Sequence, residues 1–191
     1  MKKRNRGFTL IELLGVIVIS TLIIVPVLNS MMSNYEINQR MHSRKSASSL
    51  AVTTVQAFDK IYFSNLLNSI DENDHYALIN ESSCANFTIT PFEREFLIDA
   101  TELCERIFSQ TWVNFSYDEE DFRVYLFPYT LESNQKLDLL SQDFPQQVHD
   151  YVQTIQVSSN QNNRLLHIVV WIRYDEATNS SITSTGVISR D

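Results

Sequence analysis

Between positions 8 and 28 the chain reads FTLIELLGVIVISTLIIVPVL, with Glu12 as its one charged side chain. A helix needs about 20 apolar residues to cross the hydrocarbon core of a bilayer. Beyond Pro26 the polar fraction rises, but the helical period persists. Ile37, Met41, Ala47, Leu50, Ala51, Val55, Phe58, Ile61, Tyr62, Leu66 and Ile70 recur mostly at steps of three and four, and no Gly or Pro occurs over 27–90. That spacing marks one face of a helix. The pattern predicts a single helix over residues 8–68, bent or loosened near Pro26. Its first half is apolar all round and its second half is amphipathic, with one stripe to bury.

The period then changes. Residues 71–83 (DENDHYALINESS) are polar and read as a connecting loop, with His75 solvated in it. Thr90, Pro91 and Glu93 form a helix start: Thr90 can cap, Pro91 suits the first helical position and Glu93 completes a capping box. Phe92, Phe96, Leu97, Ala100, Leu103, Cys104 and Ile107 supply one apolar face, so a second helix is expected over 91–109. Residues 111–117 (TWVNFSY) alternate, 118–121 form an acidic turn and 122–127 (FRVYLF) return, the pattern of a hairpin. Residues 128–147 read as irregular or as holding a short helical turn. Strands are expected over 151–158, 165–174 and 182–189, with turns at 160–163 and 175–180. The apolar run LLHIVVWIRY at 165–174 points to a central strand. The fold class is α+β: a long N-terminal helix, membrane-spanning in its first half, packed on an antiparallel sheet of about four or five strands, with a second helix.

The front of the chain carries more than an anchor. Lys2, Lys3, Arg4 and Arg6 precede the apolar run, and cationic residues beside a spanning helix stay on the cytoplasmic side. Everything after Leu28 is therefore expected outside the membrane. A secretory signal peptide would place a small-x-small cleavage site after the run, but Asn29, Ser30, Met31, Met32 and Ser33 stand there. The small residue placed for cleavage is Gly7, ahead of the run, where a cut would remove the charges and leave the helix. Glu12 lies four residues past Phe8, about 6 Å deeper along a helix, and a carboxylate at the membrane centre costs about 2.5–3.5 kcal/mol. It needs a cation, and an α-amine freed at Phe8 is the nearest candidate.

Gly7-Phe8-Thr9-Leu10-Ile11-Glu12, with the leader charges and the apolar run, resembles the class III signal of type IV pilins and type II secretion pseudopilins. The resemblance implies that a prepilin peptidase cuts between Gly7 and Phe8 and methylates the new N-terminus of Phe8. It implies that Glu12 pairs with a neighbouring subunit's N-terminus during filament assembly. It also implies that other pilin subunits and an inner-membrane assembly platform are partners. Pro26 falls slightly earlier than the helix-weakening proline common in that family. The domains expected are a cleaved leader over 1–7, a transmembrane and filament-core helix over 8–28, and an extracytoplasmic pilin-like domain over 29–191. The likeness in sequence stops near residue 30.

Composition narrows the functions. The 191 residues include 15 Lys and Arg, 23 Asp and Glu, and a net charge of −8. Four of the basic residues lie in the leader, so residues 8–191 carry 11 against 23, a charge of −12. That acidity argues against direct nucleic-acid binding, which needs a basic footprint. Of the three glycines, only Gly186 lies beyond the apolar run, so no clustered-glycine loop for phosphates or dinucleotides can be built. Cys84 and Cys104 can pair in an oxidising compartment, which in the chain-entropy model stabilises by roughly 3 kcal/mol. Two free, partly buried thiols are the alternative. They lack the spacing of a zinc site, and no metal or other cofactor is expected.

His42, His75, His149 and His167 show no ligand spacing, and His167 and Trp171 read as core or sheet-face residues. The DEED run at 118–121 reads as a solvated hairpin tip, because a calcium loop needs spaced oxygen ligands and a glycine. No nucleophile elbow or catalytic spacing is present, so the chain reads as a substrate of processing enzymes and not as an enzyme. The leading function is a minor pilin or pseudopilin. It would be single-pass in the cytoplasmic membrane with its N-terminus inside, and later part of a surface filament, at its tip or in an initiation complex. The alternative is a membrane-anchored extracellular binding module, an adhesin or sensor, outside any filament.

Overall fold

The computed structural model describes residues 10–61, 63–70, 75–87, 100–108, 121–158, 164–175 and 177–190. The chain divides into two compact units, Met1–His42 and Ser43–Asp191. Helix α1, Leu10–Phe58, begins in the first and ends in the second.

In the first unit α1 is a single helix whose large apolar side chains are exposed, Leu10 at 82% and Leu22 at 69%. It is long and apolar enough to cross a membrane. The helix continues through Pro26, although a proline there removes one ladder hydrogen bond, the one that would reach the carbonyl of Leu22. One turn earlier, the Thr21 hydroxyl donates to the carbonyls of Ile17 and Val18 at 3.1 and 2.9 Å. That keeps a polar side chain satisfied within an apolar segment.

The second unit is built on a four-stranded antiparallel sheet in the order β1 (Ala77–Ile79), β2 (Phe122–Pro128), β5 (Leu165–Asp175), β6 (Ser180–Ser189). Val124 faces Val170 and Leu126 faces Ile168 across β2 and β5. These side chains form one core with Ala47, Leu50, Ala51 and Phe58 from the end of α1. Alternate residues Tyr125, Phe127, Val169 and Trp171 point to the opposite face. There they form a second core with Leu139, Val148, Val152 and Ile155. Burial on both faces explains why 165–172 is apolar almost without alternation, and β5 is central, as its sequence predicts. Gly186 of β6 lies under α1: a Cβ there would stand 2.6 Å from Val55 Cγ1 and 3.2 Å from Ile168 Cγ2. The close approach of helix to strand requires glycine.

Elsewhere the structure corrects the sequence reading. The long helix ends at Phe58, and a separate α2 covers Phe63–Asn68. The amides of Lys60 and Ile61 reach back only three residues, to Ala57 and Phe58, which tightens and closes the helix. The turn lets Phe58, Ile61 and Leu66 all enter the same core, so burial ends the helix where neither Gly nor Pro marks it. The loop expected over 71–83 contains β1 and a short helix α3, Glu81–Cys84. The helix α4 is described over Ala100–Phe108. The expected helix start at 91, the strand at 111–117, most of the acidic turn and the turn at 160–163 lie outside the described residues. At Val124–Leu126, β2 is paired on both sides, by β1 and by β5.

The segment after β2 is more ordered than expected. It holds β3 (Thr130–Leu131), α5 (Ser133–Leu140), α6 (Gln146–Thr154) and β4 (Gln156–Val157). Of the strand expected over 151–158, the first half is the end of α6 and only Gln156–Val157 is strand. Val148 and Val152, one turn apart, are fully buried against the sheet. The Lys136 ammonium donates to the carbonyls of Gln153 and Ile155, both at 2.7 Å, satisfying acceptors that a helix end leaves open. β3 and β4 pair in parallel.

Candidate functional site

The N-terminal segment is the first place to look for function. Lys2, Lys3, Arg4, Arg6, Gly7 and Phe8 lie outside the described residues. Glu12 sits in the first turn of α1 and is exposed. A helix N-terminus carries partial positive charge from its unbonded amides, which favours a carboxylate there. Residues 10–28 are helical throughout, a rise of about 28 Å at 1.5 Å per residue, close to the ~30 Å hydrocarbon thickness. Apolar side chains crowd every side of this helix and stay exposed: Ile11 at 80%, Ile19 at 60%, Ile23 at 60%. Such a surface calls for lipid or other apolar helices around it.

The other residues singled out in the sequence occupy ordinary positions. Cys84 at the end of α3 and Cys104 in α4 form a disulfide, Cα atoms 5.7 Å apart, buried in the first core. His167 on β5 is half-buried. Its Nδ1 lies 2.8 Å from the Tyr151 hydroxyl and its Nε2 lies 3.2 Å from the Tyr129 carbonyl oxygen. The carbonyl can only accept, so Nε2 carries the proton, Nδ1 is an acceptor and Tyr151 donates to it. Burial pushes this imidazole below its ordinary pKa, with the Tyr129 carbonyl opposing. His149 Nε2 lies 3.2 Å from the Leu140 carbonyl oxygen. Of the acidic turn, Asp121 is described, and it pairs with Arg173 of β5, whose Nε donates to it at 2.6 Å. Among the described residues no group of three or more His, Cys, Asp or Glu could hold a metal.

Sequence reasoning missed a surface feature of the second unit. Arg123 of β2 and Trp171 of β5 are cross-strand partners. With Arg173 they face a cleft of about 500 Å3 whose other wall begins α6. The signal in sequence was their alternation with the core residues Val124, Val170 and Ile172, which puts them on the second face.

Comparison with known families finds the prokaryotic N-terminal methylation motif at residues 2–28. This motif is the class III signal found on type IV pilins and pseudopilins, and the match covers the N-terminal segment alone. The long N-terminal helix packed on a four-stranded antiparallel sheet is an α+β, pilin-like arrangement. No curated protein and no solved structure matches the chain.

Proposed function

We propose that the protein is a minor pilin or pseudopilin, a structural or assembly-initiating subunit of a type IV filament machine. The observation that carries the reading is the methylation motif running directly into an exposed apolar helix. In this reading the leader holds the precursor in the cytoplasmic membrane with residues 1–7 inside. A prepilin peptidase hydrolyses the Gly7–Phe8 bond. Methylation of the freed Phe8 amine leaves it basic, so it stays cationic. Glu12 of one subunit then pairs with the N-terminal ammonium of another. Neither charge is well solvated in lipid, and pairing offsets part of the penalty that each would carry alone. The apolar face of α1 exchanges lipid for neighbouring helices as the subunit leaves the membrane.

A minor role suits the size of the second unit. Its extra helices α5 and α6 enlarge the head, and a bulky head fits a filament tip or initiation complex better than close helical repetition. Pairing of Cys84 with Cys104 fits a head exported to an oxidising compartment.

Mass spectrometry of the protein extracted from membranes tests the reading. The expected species lacks seven residues and carries a methyl group on Phe8; an intact Met1, or a cut after Leu28, overturns it. Glu12→Val should leave processing intact while incorporation into filaments falls, and unchanged incorporation removes the pairing role.

A further inference from the structure

The cleft on the second sheet face has a lining too polar for an apolar ligand and too mixed in charge for a simple ion. Its floor is Trp171, with the Arg123 guanidinium 5.9 Å from the ring centroid. Cation–π attraction holds the guanidinium there. Among the described residues no carboxylate pairs with Arg123. Arg173, beside it, is already neutralised by Asp121. On the opposite wall Asp143 is exposed and has no cation partner among the described residues.

The amides between these charges are partly committed. Gln147 Oε1 accepts from the Trp171 indole at 3.3 Å, so its NH2 is left as a donor. Gln146 Nε2 donates to Asp150 at 2.7 Å, so its Oε1 is left as an acceptor. Asn179 and Ser181 add groups of both kinds on the β6 side.

This set selects by exclusion. A phosphate or polyanion would meet Asp143, and a cation would meet Arg123. A molecule with several hydroxyls and one carboxylate satisfies both: its hydroxyls donate to Asp143 and exchange bonds with the amides, and its carboxylate takes the guanidinium fork. We propose that this cleft binds an acidic saccharide, a sugar chain carrying a hexuronic acid. Arg123 reads the carboxylate, and Asp143, Gln146, Gln147 and Asn179 read the hydroxyls. An acidic peptide shares the carboxylate but offers few hydroxyl donors for Asp143 and would suffer its repulsion. The site stands apart from filament assembly and does not depend on it.

The test uses the full chain in detergent micelles, titrated with an aldotriouronic acid (one glucuronic acid on xylobiose, a single carboxylate), with neutral xylotriose and with the single-carboxylate peptide acetyl-Gly-Glu-Gly amide. Calorimetry reads the binding. Trp171 fluorescence, read in a Trp112→Phe background, locates it. The expected result is saturable binding of the aldotriouronic acid at millimolar concentration or tighter, with a change in Trp171 emission, and binding of xylotriose and of the peptide at least about tenfold weaker. Arg123→Gln should weaken binding of the aldotriouronic acid about tenfold or more. Asn179→Asp, on an exposed turn where Asn already holds a positive φ of 50°, should weaken it by charge repulsion while the fold, checked by circular dichroism, is kept. Absence of saturable binding of the aldotriouronic acid overturns the proposal. So does equal binding of the neutral sugar or of the peptide, or wild-type affinity in folded Arg123→Gln and Asn179→Asp.

Discussion

Thr54 of α1 is 1% exposed, and its hydroxyl has no hydrogen-bond partner among the described residues. An unpaired buried hydroxyl costs about 1–3 kcal/mol. Thr54→Val keeps the branched shape and removes the orphan, and should raise stability by about 1 kcal/mol in urea unfolding. His167 makes the opposite kind of contribution. Its folded pKa lies below the ordinary 6.5, so the unfolded chain takes up a proton more readily. The stability tied to the neutral ring is complete above the unfolded pKa. It is lost as pH falls through 6.5 toward and past the folded value. Unfolding at about pH 7.5 and about pH 5 should therefore show a smaller difference in His167→Gln than in the wild type. At this scale the sequence singles out Glu12, a lone acid in an apolar run four residues past Phe8, and its role stands as a proposal. Arg123, Trp171 and Asp143 were not legible as a set. They meet only through β2–β5 pairing and the docking of α6, which no spacing along the chain records.

Among the elements, Gly186 gives the sharpest expectation. The 2.6 Å from a Cβ to Val55 Cγ1 leaves no room, so Gly186→Ala must displace the Val55 side chain or the elements that carry the two residues, and should cost about 1–3 kcal/mol. A fall in the thermal midpoint checks it. Strands β2, β5 and β6 were readable from β-branched and aromatic runs bounded by turns. The extent of α1 was overestimated because its period runs on past Phe58 into α2, and the break answers to burial of Phe58 and Ile61 and not to a helix breaker. Residues 151–158 were misread for a related reason. Val152, Ile155 and Val157 resemble a strand in isolation, and only Val148, outside that window, shows the four-residue step of α6. The small β1 and β3 are held by pairing to distant strands, a force with no local trace.

At the scale of the whole chain, the exposed apolar side chains concentrate in residues 10–41, whereas both buried cores draw only on residues 47–188. A fragment spanning residues 43–191 should therefore be soluble and unfold cooperatively, with a midpoint within about 5 °C of the full chain in detergent. Aggregation of the fragment, or a non-cooperative melt, would show that the second unit leans on the first. This division of labour was visible in the sequence as the change from all-round to one-sided apolar pattern after Pro26, although the boundary of the compact units falls later, at His42 and Ser43. The Cys84–Cys104 bond has a further consequence. It closes the intervening stretch into a covalent ring, so one backbone scission inside it leaves a single molecule. Such a nicked protein migrates as one band without reductant and separates into two pieces once the sulfurs are reduced.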